Sequence, residues 1–208
     1  VYCTSLDWLC IDYYVIKMAS NKNPTLVNRK VAVLGARAVG KSSLTHSFVT
    51  GSFSDAYDPT IESTQHKTIR FRKVHFATDI VDTAGMDEFS RLSRNASLGV
   101  HGYILVFSIA SRQSFETIDQ VNDALLNTLG DAPDVPRVLV GSMKDLSDSR
   151  QVSQTDAQAL ADSWGVPYLE CSSKTGEHVA DVFHTLLKEI EKDDGLLAEN
   201  GDGGCVIL

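Results

Sequence analysis

The chain has 208 residues, 43% of them hydrophobic and 22% charged, which is typical of one globular domain with a sizeable core. A net charge of -8 argues against a nucleic-acid-binding surface, so no nucleic-acid partner is expected. No apolar run has the length that spans a bilayer. The cysteines lack metal-ligand spacing and no secretory signal is evident, so we expect reduced thiols in a cytoplasmic protein.

Residues 1–28 form a lead before the first strand that the sequence predicts. Residues 1–17 are apolar and aromatic but carry Asp7 and Asp12 and no basic stretch, which argues against a signal peptide. Met18-Ala19-Ser20 has the pattern of a natural start, so we expect residues 1–17 to be absent from the mature protein. An amphipathic arm that touches a membrane is the alternative, and N-terminal sequencing of the native protein separates the two.

From residue 29 to residue 192, strands and helices are predicted to alternate. Continuous apolar runs such as Tyr103-Ile104-Leu105-Val106-Phe107 are typical of strands buried on both faces. Apolar residues at helical spacing, as in 177–192, indicate helices that face a core. The alternation predicts an α/β fold with a six-stranded, mostly parallel sheet and helices on both faces. The predicted strands are 30–35, 62–71, 74–82, 102–109, 137–142 and 166–171, and the predicted helices are 41–50, 87–97, 112–129, 153–164 and 177–192.

Residues 35–42 match the phosphate-binding loop G-x-x-x-x-G-K-[ST], which we call the P-loop. A predicted strand precedes it and a predicted helix follows, so that backbone N–H groups and the helix N-terminus can surround an anion. We expect Lys41 to bind the β- and γ-phosphates of a nucleotide and the Ser42 hydroxyl to bind Mg²⁺. A chance glycine-rich turn is the alternative, and the strand and helix on either side disfavour it.

Two further segments are placed to complete a phosphate and metal site. Asp82 ends a predicted strand, where its carboxylate can hold Mg²⁺ through water, and Gly85 lets a backbone N–H approach the γ-phosphate. The loop 53–62 carries Thr60, whose hydroxyl can bind Mg²⁺ and whose N–H can bind the γ-phosphate. Loss of that phosphate would release the loop and so create a switch. Taken alone, Asp-Pro-Thr in this loop is ordinary turn chemistry.

Two motifs at the ends of later strands are candidates for reading a base. They are Gly141-Ser142-Met143-Lys144-Asp145 and Cys171-Ser172-Ser173-Lys174, and ligands bind at such strand ends in open α/β sheets. The carboxylate of Asp145 can accept hydrogen bonds from N1–H and the exocyclic amine of guanine, a donor pair that adenine lacks. A helix N-cap is the alternative for Asp145. His46 is interpreted as a surface or partly buried residue without a catalytic role.

Residues 193–208 are predicted to be a flexible acidic tail that ends in a lipidation signal. Cys205-Val206-Ile207-Leu208 fits C-a-a-X, and its final leucine predicts geranylgeranylation of Cys205. The tail has no polybasic cluster, and one lipid gives weak, reversible binding. We therefore expect peripheral attachment to the cytosolic face of endomembranes or the plasma membrane. An ordinary apolar C-terminus is the alternative.

These motifs, in this order and spacing, resemble the Ras superfamily of small GTPases from about residue 29 to residue 190, and within it the Rheb family. The resemblance implies a P-loop NTPase G domain over 29–192, GTP or GDP as ligand, Mg²⁺, and a monomeric switch. It also implies a GTPase-activating protein (GAP), a nucleotide-exchange factor, a prenyltransferase and a TOR-like effector kinase complex as partners. The effector loop implied is Tyr57, Asp58, Pro59, Thr60, Ile61 and Glu62.

The resemblance assigns roles to individual positions, with Phe53 packing on the guanine. The residues expected to contact nucleotide are Gly35, Arg37, Ala38, Val39, Gly40, Lys41, Ser42, Ser43, Phe53, Tyr57, Pro59, Thr60, Gly85, Ser142, Met143, Asp145, Ser172, Ser173 and Lys174. Those expected to act in hydrolysis are Lys41, Thr60 and Gly85, and the expected Mg²⁺ ligands are Ser42, Thr60 and, through water, Asp82.

Three departures from the family pattern modify these expectations. Met86 stands where the family has a water-positioning glutamine, and Arg37 and Ala38 crowd the γ-phosphate side, so slow intrinsic hydrolysis and a largely GTP-bound protein are expected. Ser142-Met143 replaces Asn-Lys, which predicts weaker guanine binding and faster exchange without loss of specificity, at about 0.5–1.5 kcal/mol per lost hydrogen bond. Leu208 replaces the more common farnesylation signal.

Two other functions remain open from the sequence. A guanine-nucleotide-binding scaffold that does not hydrolyse GTP is kept open by Met86 and Ser142-Met143. Substitution of Met86 by glutamine discriminates, because a sharp rise in hydrolysis would indicate intact machinery and no change would indicate a scaffold. A P-loop ATPase or small-molecule kinase is disfavoured by Asp145, by the effector-type loop and by the lipidation signal.

Overall fold

The computed structural model describes residues 25–55, 60–71, 74–85, 92–130 and 135–192. Several sequence-based expectations lie outside these residues, namely those for the N-terminal lead up to residue 24, for the tail 193–208, and for Tyr57, Asp58, Pro59, Met86 and Cys205. None of the helices in the described parts of the chain combines the length and apolar character that crossing a membrane requires.

A single six-stranded sheet organises the described residues. Its strands are β1 (Thr25–Leu34), β2 (Glu62–Phe71), β3 (Val74–Thr83), β4 (Gly102–Ser108), β5 (Arg137–Ser142) and β6 (Tyr168–Glu170). They lie in the order β2-β3-β1-β4-β5-β6, and β2 alone runs antiparallel to its neighbour. The predicted α/β fold with a six-stranded, mostly parallel sheet is confirmed.

Helices cover both faces of this sheet. They are α1 (Lys41–Thr50), α2 (Arg94–Ser97), α3 (Arg112–Leu129), α4 (Gln154–Trp164) and α5 (Val179–Ile190), with a 3₁₀ helix at Lys144–Ser149. Strand β1 is buried on both sides because Val31 and Val33 join a core with α1 and α5, whereas Ala32 and Leu34 join a second core with α3 and α4. The chain therefore consists of three layers, with β1 near the centre of the middle one.

Strand β1 starts earlier than the apolar pattern predicts. It begins at residue 25, and its polar first half pairs in parallel with β3 from Thr25 opposite Val74 onward. The apolar pattern starts only near residue 30, because Asn28 and Arg29 are two consecutive polar residues and interrupt the alternation of apolar and polar side chains. Backbone pairing with β3, which the apolar pattern does not report, extends the strand.

Three other bounds also differ from expectation. Strand β6 is three residues long because it lies at the sheet edge and pairs with β5 alone. In the described part of 87–97 only Arg94–Ser97 is helical, and the Ser93 hydroxyl caps that turn by accepting from the Ala96 N–H. Helix α5 begins after His178, whose φ of 54° interrupts helical geometry.

Candidate functional site

The carboxyl ends of the central strands surround one cavity of about 740 Å³. Strand order reverses around β1, which has β3 on one side and β4 on the other, and ligands bind at such a point in open α/β sheets. The residues of the expected nucleotide and metal site that line the cavity are Arg37, Ala38, Gly40, Lys41, Ser42, Ser43, Thr60, Asp82, Gly85 and Met143. The chain segments predicted to hold phosphate and metal thus meet around the same space.

The P-loop crosses β4 at a distance that only glycine permits. A Cβ at Gly35 would lie 2.1 Å from the Val106 carbonyl oxygen, so a side chain there would collide with backbone. Gly40, with a φ of 86°, is the P-loop residue directly before α1, and Ala38 has a φ of 58°. The loop is therefore wrapped tightly above the sheet, with the N-terminus of α1 at its end.

Lys41 spans the inside of this loop. Its ammonium donates to the carbonyl oxygens of Gly35, at 3.1 Å, and Ala36, at 2.8 Å. The side chain is buried, and that burial lowers the pKa of Lys41 to about 8, against a smaller opposing effect of the Asp82 carboxylate. A phosphate group at this ammonium would offset the cost of its burial.

Three oxygen-bearing side chains meet beside Lys41. The hydroxyl oxygens of Ser42 and Thr60 lie 2.8 Å apart, although one begins α1 and the other precedes β2. Asp82 is 1% exposed, and its Oδ1 has no hydrogen-bond partner among the residues that the structure describes. Burial raises the pKa of Asp82, while the Ser42 hydroxyl and Lys41 act in the opposite direction. Two hydroxyls and a buried carboxylate with an unpaired oxygen are a donor set that suits a hard cation such as Mg²⁺.

Gly85 lies directly against the P-loop. A Cβ at this position would fall 2.2 Å from Cγ of Arg37, 2.4 Å from its Cα and 2.7 Å from its N. Two of these three atoms belong to the backbone, so they cannot move away by a change of rotamer. The peptide at Gly85 therefore approaches the P-loop as closely as a glycine allows.

The base-reading candidates lie at the ends of β5 and β6. Asp145 is exposed, and its Oδ1 accepts from the buried Ser172 hydroxyl at 2.6 Å. The backbone N–H of Lys144 donates to the Cys171 carbonyl at 3.0 Å, which holds the two strand ends together. Met143 has a φ of 59° and is the member of this group that also lines the cavity. Asp145 and Ser172 are thus brought together, and neither of them lines the cavity.

Other expected residues do not line the cavity. Ser173 is tied to α1, since its carbonyl accepts from the Ser47 hydroxyl at 3.3 Å. Phe53 follows the end of α1 and is 37% exposed, and Lys174 is exposed. The cavity is also lined by His46 and by five residues that the sequence did not single out as site residues, Ser54, Ser63, Gln65, Thr83 and Ala84. The sequence gave His46 no place in this site. His46 lies four residues after Ser42 on α1, a spacing that puts both on one helix face and could have revealed it.

Comparison with known proteins agrees with this geometry. The sequence profile of the Ras family matches residues 30–192. The GTP-binding protein Rheb of Homo sapiens is 43% identical over 185 residues, which is 89% of this chain and 100% of that protein. The GTP-binding protein rhb1 of Schizosaccharomyces pombe is 46% identical over 181 residues, 86% of this chain and 97% of that protein. A Rheb homolog of Dictyostelium discoideum is 42% identical over 181 residues, with 87% and 97% covered. The chain therefore belongs to the Ras family of small GTPases, as a Rheb-like GTP hydrolase that acts as a signalling switch.

Proposed function

We propose that the 740 Å³ cavity holds GTP or GDP and that its walls sense the γ-phosphate. The observation that carries this proposal is the convergence of Lys41, Ser42, Thr60, Asp82 and Gly85 on one space from three separate chain segments. The lysine ammonium and the backbone N–H groups around it balance the negative charge of the phosphates. The same residues position the β–γ phosphate bond for attack by water.

Ser42, Thr60 and, through water, Asp82 would hold Mg²⁺. The metal, when bound, neutralises charge on the phosphate oxygens. Thr60 belongs to the loop that precedes β2, and Gly85 belongs to the segment that follows β3. Both segments would be fixed through these two residues when a γ-phosphate is present and released when it is absent. An effector that contacts both segments would therefore distinguish GTP from GDP.

Hydrolysis by this site is expected to be slow without a partner. Met86 offers a thioether, a weak acceptor, where a water-positioning amide is expected in the Ras family. Arg37, which packs against Gly85, fills space on the side where the γ-phosphate would lie. A GAP would supply the missing polar group, and the protein would stay largely GTP-bound until it does.

The similarity to Rheb proteins supports a role in growth signalling through a TOR-like kinase complex, with an exchange factor and a GAP as regulators. The test is a kinase assay with a purified TOR complex and this protein loaded with either GDP or a non-hydrolysable GTP analogue. We expect stimulation by the GTP form alone, and loss of stimulation in Thr60→Ala. Equal activity of both loaded forms would contradict the assignment.

The C-terminal C-a-a-X sequence supports prenylation of Cys205 and a weak, reversible attachment to cytosolic membrane faces. The test is incubation of the full chain with geranylgeranyltransferase or farnesyltransferase and the matching lipid donor, followed by mass spectrometry. The expected product carries one geranylgeranyl group, and Cys205→Ser carries none. Transfer of farnesyl alone, or of neither lipid, would contradict this proposal.

Base selection provides the sharpest test of the nucleotide assignment. Asp145→Asn replaces a carboxylate, which accepts from the amine of guanine, by an amide that can donate an N–H. This amide suits xanthine, which carries a 2-oxo group in place of that amine. We expect the GTP affinity of this variant to fall by about 100-fold, because two hydrogen bonds to a charged group are lost. Its affinity for xanthosine triphosphate should rise. Asp148→Asn is the matched control on the same 3₁₀ helix, with an exposed side chain. Unchanged base preference in Asp145→Asn would refute the assignment.

A further inference from the structure

The hydroxyl of Ser142 is engaged entirely within the protein. Ser142 is the last residue of β5 and is 3% exposed. Its Oγ lies 2.6 Å from the carbonyl oxygen of Val39 in the P-loop and 2.9 Å from the carbonyl oxygen of Phe107 in β4. Both neighbours are acceptors, and a hydroxyl carries one proton. That proton is therefore donated to main-chain carbonyls and is not free for a ligand.

The neighbouring side-chain donors are also directed at protein atoms. The Ser108 hydroxyl, at the end of β4, lies 3.3 Å from Sδ of Met143 and donates to it. The Lys144 ammonium lies 2.5 Å from Oε1 of Glu177. Met143 itself lines the cavity, and a thioether has no proton to donate. Met143 thus presents its thioether to the cavity, while the hydroxyls of Ser142 and Ser108 are directed at protein atoms.

Met143 forms an apolar wall at this point. A Cβ added at Gly40 would lie 3.7 Å from its Cε, so the methyl group packs over the end of the P-loop. A flexible, polarizable thioether makes favourable contact with the face or edge of an aromatic ring. This wall can therefore hold a purine by packing, without a hydrogen bond.

We propose, on the basis of the nucleotide site assigned above, that this protein reads guanine without a hydrogen bond to N7. With the phosphates at Lys41 and the N1 edge of the base at Asp145, the N7 edge faces the strand end between them, where Ser142 and Met143 lie. N7 is an acceptor and needs a donor that these two side chains do not offer. Ser142 instead fixes the P-loop through Val39, and Asp145 alone carries the selection of the base.

The structure also indicates how an N7 contact could be introduced. A side-chain amide has two N–H groups. In Ser142→Asn one N–H can keep the hydrogen bond to the Val39 carbonyl oxygen, and the other can donate to N7 of the base. Alanine at the same position removes the link to the P-loop and adds no donor. The pair Ser142→Asn and Ser142→Ala therefore separates the role in reading the base from the role in holding the loop.

The experiment compares GDP with 7-deaza-GDP, in which a C–H replaces N7, by competition against fluorescent N-methylanthraniloyl-GDP in the presence of Mg²⁺. For the unmodified full chain we expect the two dissociation constants to agree within about twofold, since no hydrogen bond is lost. Ser142→Asn should prefer GDP by about two- to tenfold, the value of one hydrogen bond. In Ser142→Ala both constants should rise together, with their ratio unchanged.

A preference of fivefold or more for GDP by the unmodified chain would overturn the inference, because N7 would then be read. This outcome would leave the proposed nucleotide function intact. Failure of both nucleotides to compete would instead overturn the proposed function, and the inference with it. Should Ser142→Asn fail to fold, the ratio measured on the unmodified chain still decides.

Discussion

The hydroxyl oxygens of Ser42 and Thr60 lie 2.8 Å apart, and they connect the first helix after the P-loop with the loop that precedes β2. The buried carboxylate of Asp82 completes this group, and its Oδ1 accepts no hydrogen bond from the described part of the chain. A loop that is fixed through one hydroxyl can be released by a change at its partner. In the proposed function, this contact would link the bound nucleotide to the loop that precedes β2.

Replacing Ser42 by alanine should make nucleotide retention much less dependent on Mg²⁺. In the unmodified protein we expect a chelator to accelerate GDP release, because the metal joins the phosphates to the protein. Ser42→Ala removes one ligand, so release in Mg²⁺ should already be fast, with a chelator effect reduced by about tenfold. The measurement is the release of fluorescent GDP with Mg²⁺ or with EDTA.

The matched control for this prediction is Thr50→Ala, at the exposed end of the same helix, where the hydroxyl donates to the His46 carbonyl. It should behave as the unmodified protein. An undiminished chelator effect in Ser42→Ala would show that this hydroxyl is not a metal ligand.

Gly85→Ala should impair the GTP state and spare the GDP state. The added Cβ would fall 2.4 Å from Cα of Arg37, so the segment after β3 must move away from the P-loop. We expect GTP hydrolysis to fall by about tenfold or more, which is a loss of about 1.4 kcal/mol at the transition state, with GDP affinity nearly unchanged. Single-turnover hydrolysis and GDP titration measure the two effects.

Gly165→Ala is the control for general effects of losing a glycine. Gly165 ends α4 with a φ of 67°, and its Cβ would meet no atom of the described residues within 4 Å. This variant should lose about 1 kcal/mol of stability from backbone strain while its hydrolysis rate stays the same. Equal hydrolysis in Gly85→Ala and Gly165→Ala would count against a close approach of Gly85 to the phosphate.

The pH dependence of nucleotide binding should follow Lys41. Its pKa of about 8 in the free protein lies below the ordinary value, so the ammonium loses its proton as pH rises through about 8. Bound phosphate favours the charged form, so affinity should fall by about fourfold between pH 7 and 8.5, with uptake of a proton on binding. Titration calorimetry in two buffers of different ionisation enthalpy measures that uptake.

The same shift in pKa affects the stability of the nucleotide-free protein in the opposite direction. The unfolded chain binds this proton up to about pH 10.5, so stability should rise as pH increases from about 8 toward 10.5. Lys41→Arg, whose guanidinium stays charged, should remove both dependences. If affinity does not change with pH in the unmodified chain, then Lys41 is not the group that balances the phosphate charge.

Met86→Gln should raise intrinsic GTP hydrolysis by about tenfold or more, because an amide can orient the attacking water and a thioether cannot. Phosphate release from preloaded protein under single-turnover conditions provides the rate. Met86→Leu is the control, since it keeps the size and removes the sulfur, and its rate should stay low. A glutamine variant as slow as the leucine variant would contradict this prediction and favour the scaffold that does not hydrolyse GTP.

The parts of the structure that follow from local pattern were predictable. The apolar runs of β4 and β5 predicted strands buried on both faces, and the P-loop motif predicted the turn between β1 and α1. Order along the chain then predicted that Asp82 and Asp145 lie at the same edge of a mostly parallel sheet. Both residues do lie at this edge, where Asp82 lines the cavity and Asp145 contacts Ser172.

The contacts that depend on long-range packing were not predictable. Arg29 and Glu191, 162 residues apart, form a paired hydrogen bond of 2.6 and 3.0 Å that joins β1 to the end of α5. Neither residue belongs to a local pattern that would indicate the other. The two carbonyl contacts of the Ser142 hydroxyl likewise depend on how β5 approaches the P-loop. Such pairs are set by the packing of layers and not by spacing along the chain.

The most direct test of the account is the nucleotide content of freshly purified full-length protein, kept in Mg²⁺, denatured, and analysed by chromatography. We predict about one guanine nucleotide per chain, chiefly GTP, because Lys41 and Asp145 retain the nucleotide and Met86 slows its hydrolysis. An empty protein or one that carries adenine nucleotide would contradict the proposed site. A protein that carries chiefly GDP would contradict the slow hydrolysis on which the proposed switch depends.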